Sequence, residues 1–162
     1  MDATLDALHN SLQAQRRHIL DMCVGLSDSD WHRSALPSGW TVLQLIHHLA
    51  ADDERFWFRC VIANEPEAWA SYPEDSGSFW SVPPHPFTPH EVIALYREEI
   101  GRSDAIIADL HCEDAPAALP EGFPMHVPDV RALMLHVITE TACHAGHLDA
   151  MRELLDGRTY FD

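Results

Sequence analysis

Apolar residues recur at helical spacing in four long segments of this chain, and no segment shows the alternation that a half-buried strand requires. The pattern predicts an all-α fold. The first helix spans roughly residues 4–24, with Leu5, Leu8, Leu12, Ile19 and Cys23 on one side and Gly25 as a stop. The second opens at Thr41-Val42-Leu43-Gln44, the spacing of a capping box, and runs to about residue 63. Trp40 and Leu45 stand there as a hydrophobic staple would place them. Thr88-Pro89-His90-Glu91 opens the third, which continues to about residue 110. The fourth covers about residues 128–156 and stops before Gly157.

Residues 64–87 join the second and third helices, and they hold Pro66, Pro73, Pro83, Pro84 and Pro86. So long a connection in a compact domain points to a crossover or a functional loop. In a four-helix bundle it lets the second and third helices run parallel. Its aromatic residues, Trp69, Tyr72, Phe79 and Trp80, either pin the loop to the bundle or form a lid over a pocket. The expected architecture is one domain over residues 1–162: a four-helix bundle with a long crossover between helices two and three.

Composition removes several function classes. All ten basic residues are arginine, so Schiff-base and P-loop chemistry, which need a lysine amine, are excluded. A formal charge of −16 repels phosphate backbones and argues against nucleic-acid binding. No apolar run approaches the ~18–20 residues of a membrane span. The N-terminus, MDATLDALHN, is polar and acidic, unlike a secretion signal. Cys23, Cys60, Cys112 and Cys143 lie far apart with no CxxC, which fits a reducing cytoplasm better than a disulfide framework.

Twelve histidines carry more information by position than by number. On a helical wheel the fourth helix has a buried stripe of Val130, Leu133, Val137, Leu148, Met151, Leu154 and Leu155. His136, Glu140, His144 and His147 fall inside that stripe, with Glu140 near its centre. A carboxylate in a helical core costs several kcal/mol unless it is paired or bound. Arg131 and Arg152 project from other faces, so a metal ion shared with neighbouring imidazoles is one way to neutralise Glu140. On the second helix Val42, Ile46, Leu49, Phe56 and Cys60 form the stripe. His48 flanks it, with Asp52 one turn later, and His47 points away.

One histidine of the second helix, His48 by geometry, combines with Glu140 and His144 into three N/O ligands. That set leaves positions open for water or substrate, as catalytic metal sites require. Zinc is the first expectation, and nickel, iron and manganese suit the same ligands. His147 competes as a ligand, because His144 and His147 lie on adjacent turns. The alternative is an ion pair between Glu140 and an arginine of another helix, such as Arg16, Arg55 or Arg97. Cys143 is either a nucleophile beside the site or a small buried thiol on the stripe's margin. The Glu-x-x-His pairs of di-iron bundles, the zinc-protease His-Glu-x-x-His and the Gly-x-Ser-x-Gly elbow are all absent.

Ser38-Gly39-Trp40-Thr41, Leu45-Ile46-His47-His48-Leu49-Ala50 and Thr139-Glu140-Thr141-Ala142-Cys143-His144-Ala145-Gly146-His147, with Arg152-Glu153 and Asp156-Gly157, resemble the DinB-like superfamily. The resemblance extends over nearly the whole chain and is to the actinobacterial branch similar to mycothiol-dependent S-transferases. It implies a four-helix bundle with a long crossover after helix two. It also implies a metal held by one helix-two histidine and a helix-four pair, His-x-x-x-His or, in some thiol-dependent members, Glu-x-x-x-His. The implied positions are His48, Glu140 and His144. His147 matches a recurrent histidine outside the triad. Cys143 departs from the arginine common before the second helix-four ligand.

The resulting expectation is a cytoplasmic, divalent-metal-dependent transferase that activates a low-molecular-weight thiol, mycothiol-like, for attack on an electrophilic small molecule under the 64–87 connection. Such a reaction serves detoxification. Asp52 either orients His48 or merely shares its helix face. The expected partners are the thiol and the electrophile, not nucleic acid or a membrane, and the resemblance allows a homodimer. The alternatives are a non-catalytic metal- or small-ligand-binding stress protein of the same fold, and a bundle whose role is oligomerisation.

Overall fold

The computed structural model describes residues 2–72, 87–120 and 123–161. Four long helices form the bundle. They are α1 (Ala3–Cys23), α3 (Val42–His48) with its unbroken π-helical continuation (Leu49–Ile62), α5 (Pro89–Ala108) and α6 (Val130–Leu155). Two single turns, α2 (Asp28–Trp31) and α4 (Pro66–Trp69), lie in the connections. No strand occurs among the described residues.

Local chemistry sets the helix starts. Asp2 Oδ1 accepts from the Thr4 and Leu5 backbone N–H groups at 2.9 and 2.8 Å and so caps α1. Thr41 and Gln44 close the capping box of α3, with bonds of 3.2 and 2.9 Å. Thr88 and Glu91 do the same for α5, at 3.3 and 2.7 Å. Asp129 accepts from Ala132 N–H at 2.8 Å and starts α6. Gly25 and Gly157, at φ of +82° and +78°, follow the ends of α1 and α6, where a left-handed residue is needed.

The core divides into two apolar clusters. One gathers Leu5 and Leu12 with Phe56 to Ile62, Ile107 and Val130 to Val137. The other gathers Ile19 and Met22 with Val42 to Ala50, Val92, Tyr96, Ala145 and Leu148. The chain passes from the first cluster to the second along α1 and α6, and from the second to the first along α3 and α5. Helices α3 and α5 therefore run in the same sense, as the long connection requires.

Between the clusters each long helix contributes buried or half-buried polar residues. They are Arg16 on α1, Asp53 and Glu54 on the π segment, Ser103 on α5, and Glu140, Thr141 and His144 on α6. Arg16 and Glu54, about 1 % exposed, pair in bidentate fashion at 2.7 and 2.6 Å, and Arg16 also reaches Asp104 at 2.7 Å. Glu99 accepts from Arg55 at 2.9 Å and from Arg59 at 3.1 Å. Both arginines proposed above as Glu140 partners on α1 and the second helix are thus engaged elsewhere. Among the described residues Glu140 forms no ion pair with an arginine.

The structure corrects the expected helix-four stripe. Its buried face runs through Leu133, Met134, Val137, Thr141, Ala145, Leu148, Met151 and Arg152, because α6 turns this side toward α1. Leu154 is consequently exposed, and Glu140 sits on the flank rather than at the centre. Arg152 is buried instead of projecting outward. Its guanidinium donates to the Met22 and Val24 carbonyls at the end of α1 and holds Asp156 at 2.7 Å. Cys143 is exposed, not a buried thiol.

The second helix departs from expectation in pitch. Ala63 N–H reaches back five residues to the Phe58 carbonyl at 2.9 Å, the π-helical bond. This segment is buried nearly all round rather than along one stripe. Of the 64–87 connection, α4 and residues up to Tyr72 are described. Trp69 and Tyr72 pack edge-on against Phe56 at 6.0 and 5.6 Å, and the Tyr72 hydroxyl donates to the Ala51 carbonyl. These two residues pin the loop to the bundle. Residues 73–86, with Phe79 and Trp80, lie outside the described residues, and so does the expected lid.

Candidate active site

The last turn of α3 delivers His48 into the polar layer at 7 % exposure. Its Nδ1–H donates to Asp52 Oδ2 at 2.8 Å, one turn along the same helix. That bond orients the ring and assigns the proton to Nδ1, so that the lone pair lies on Nε2. His47 points elsewhere and stacks on Phe87 at 5.5 Å.

From α6, His144 meets His48 edge to face, with ring centroids 4.8 Å apart. Glu140, one turn earlier, has Oε2 3.6 Å from His144 Nε2. Trp40 closes the cluster, lying edge-on to His48 at 5.3 Å and stacked on His144 at 6.2 Å. Burial, reinforced by the neighbouring His48 and His147 imidazoles, pushes the His144 imidazole down to about 4. It is therefore neutral at physiological pH. Its Nδ1 is buried without a hydrogen-bond partner, a donor atom with no present use. The His147 side chain is exposed, with its ring 5.6 Å from that of His144.

The three residues expected as ligands are thus neighbours, and Asp52 is positioned to orient one of them. Their donor chemistry, two imidazoles and a carboxylate, fits a borderline divalent ion. As the side chains stand, no group of three His, Cys, Asp or Glu residues among the described residues closes on one point as a metal requires. Glu140 is the partly exposed member, at 31 %.

A cavity of about 150 Å³ opens against this cluster. His48, Asp52, Asp53 and Glu140 form its polar end, while Phe56, Trp57, Phe123 and Met125 form apolar walls. Asp53 Oδ2 is buried and unpartnered. Burial and the adjacent carboxylates of Glu54, Glu140 and Asp52 hold its carboxyl well above the usual value of 3.8. His136 also lines the cavity against Trp57, its ring 4.7 Å away, and burial lowers its basicity against the pull of Glu140. A second cavity of about 310 Å³ lies against His144 and His147, with Leu36, Ser38, Trp40 and Met151 around it.

Sequence reasoning missed Asp53, although Leu49, Asp53, Phe56 and Cys60 carry helical stripe spacing and a carboxylate on that stripe is itself a signal. It also assigned no role to His136. The walls supplied by Phe123 and Met125 have no sequence signal, because they come from a loop that only the fold brings over the site.

No curated protein and no solved structure matches the chain. One family model, described as mycothiol-S-transferase, matches residues 7–157. That match takes in three of the long helices whole and all but the first turn of α1, including both helices of the histidine cluster, so the chain belongs to the mycothiol S-transferase family, a DinB-like helical bundle.

Proposed function

We propose that this chain is a metal-dependent thiol S-transferase whose ion is held by His48, Glu140 and His144, with mycothiol or a similar low-molecular-weight thiol as cosubstrate. The observation that carries the reading is the meeting of His48 and His144 at 4.8 Å, with Glu140 beside them, at the polar end of an apolar cavity. A divalent ion, zinc first among the candidates, supplies the lowering of thiol pKa that makes a thiolate abundant near neutral pH.

The protein's own groups do the rest. Asp52 fixes the orientation of the His48 ring through Nδ1. Burial keeps His144 neutral, so one ring nitrogen retains its lone pair at physiological pH. Trp40 packs on both rings and restricts water around them. Phe56, Trp57 and Phe123 hold the apolar body of an electrophile. In the transfer the thiol proton leaves to solvent and a sulfur lone pair forms the new C–S bond. The electrophile's leaving group departs with the electron pair of its broken bond.

The test is metal content per tag-free chain by inductively coupled plasma mass spectrometry, followed by thiol-dependent consumption of an electrophile. About one ion per chain, lost in His144→Ala together with the activity, is the expected result. Metal occupancy unchanged by that substitution removes His144 from the ligand set. An ion without turnover is the outcome for a non-catalytic metal-binding protein. This reaction removes reactive electrophiles at the expense of a thiol, which is a detoxifying role.

A further inference from the structure

Among the described residues the two cavities share no lining residue, yet they meet at the histidine cluster. His48 and Glu140 face the first, whereas His144 and Trp40 face the second. The contacts joining the two sides are those of the cluster itself, His48 to His144 at 4.8 Å and Glu140 to His144 at 3.6 Å. The His48–Glu140–His144 group therefore forms a partition with space on either side.

The two spaces differ in chemistry. Among the described residues, three carboxyl groups, Asp52, Asp53 and Glu140, line the first, and no arginine does. The remainder of that cavity is dominated by aromatic and thioether surface. The second is about twice as large, and among the described residues none in its lining is acidic. A sulfur that acquires negative charge is disfavoured in a space lined by acidic side chains and avoids that repulsion in the other. Conversely, an apolar molecule without negative charge suits the first cavity, where the unpartnered Oδ2 of Asp53 can bond its one polar group.

We infer that the donor cluster divides the site in two, with the thiol entering along Trp40, Ser38 and His147 and an uncharged aromatic electrophile occupying the cavity of Phe56, Trp57, Phe123 and Met125. This assignment of sides rests on the transferase reading. The sulfur bonds the electrophile's carbon in direct contact with it, where the two cavities meet at the cluster.

Mycothiol and chlorodinitrobenzene are the probes. In that reaction the thiol proton goes to solvent and sulfur bonds to the ring carbon bearing chlorine. The C–Cl bond breaks with its pair to release chloride. Ser38→Trp fills the second cavity from an exposed loop, and Met125→Trp fills the first from another loop, where Met125 is half-buried against the first apolar cluster. Ser38→Trp is expected to raise KM for mycothiol about tenfold, equivalent to roughly 1.4 kcal/mol of lost binding, while KM for chlorodinitrobenzene stays put. Met125→Trp is expected to do the reverse.

After correction for uncatalysed rates, the carboxylated analogue chlorodinitrobenzoate should react at least about tenfold less efficiently than the uncharged compound, because it meets the acidic lining. Equal efficiency for the two, an exchange of the two KM effects, or both variants acting on one KM overturns the inference. Calorimetric titration with mycothiol and with unreactive dinitrobenzene reads each cavity without turnover. If the wild type binds both and each variant loses only its own ligand, the partition stands even when no product forms, and the transferase reading falls alone. Turnover without the variant pattern sinks the partition alone, and a wild type that binds neither probe sinks both.

Discussion

Asp52 touches no other element in the hydrogen-bond network described, yet it governs how His48 is presented. Its carboxylate accepts the Nδ1–H hydrogen bond at 2.8 Å and so fixes the ring. Truncation in Asp52→Ala should weaken zinc affinity by about 10–100-fold while changing thermal stability little, a pairing that a zinc titration and a melt would show together. Glu54 plays the opposite part. It is fully buried and its oxygens meet Arg16 at 2.7 and 2.6 Å. Glu54→Gln leaves a buried guanidinium without its main counter-charge and should cost about 3 kcal/mol in urea unfolding. That lies at the low end for such a break because Asp104 still holds the other side of Arg16. Which acid pairs with Arg16 is unreadable from spacing, since the partners lie 38 positions apart on different helices.

At the scale of the element, the helix starts depend on a few adjacent residues. The Thr88–Glu91 box satisfies backbone donors that no other part of α5 reaches. Thr88→Ala should therefore lower stability by about 1 kcal/mol with metal content unchanged, as calorimetry and mass spectrometry can establish on one preparation. The start and type of every long helix were legible for that reason: caps and 3.6-residue periodicity are local. The π pitch of Leu49–Ile62 was not. No proline or glycine marks it in the sequence, and the segment is buried on nearly every side. On α6, the wheel placed Glu140 too centrally because periodicity gives the direction of a stripe only as well as its end residues belong to it. Leu154 was counted as core and is exposed, while Arg152 was counted as surface and is buried.

Across the whole molecule, a polar layer separates two apolar clusters, and the candidate site occupies one side of it. The opposite side, where Arg16 meets Asp104, links that layer to pH. Burial pushes the Asp104 carboxyl up. The His9 hydrogen bond, the Arg16 charge and the Gln13 hydrogen bond together outweigh burial and hold it below the usual 3.8. A depressed carboxylate binds its proton less readily in the folded state. Its contribution is thus fully present above the unfolded value and is lost as pH falls through the lower folded one. Stability should begin to fall near pH 4 and continue below it. In Asp104→Asn that fall should be shallower, with lower stability at neutral pH, when denaturant midpoints are compared across the acid range.

The sequence by itself determined the all-helical class, the four long helices, the capped starts and a histidine-rich pair of helix faces. Each of these depends on neighbours within a turn or two, so spacing encodes them directly. It also placed Asp52 one turn from His48, close enough to bond it. The tertiary structure decided the rest: Arg16 with Glu54, Arg55 and Arg59 with Glu99, Arg152 at the end of α1, and Glu140 on a flank beside His144. It alone set two cavities of different chemistry against one histidine cluster. Those outcomes follow from how four helices rotate about their axes to fill a shared interior, where burial and charge pairing are settled between residues far apart in the chain.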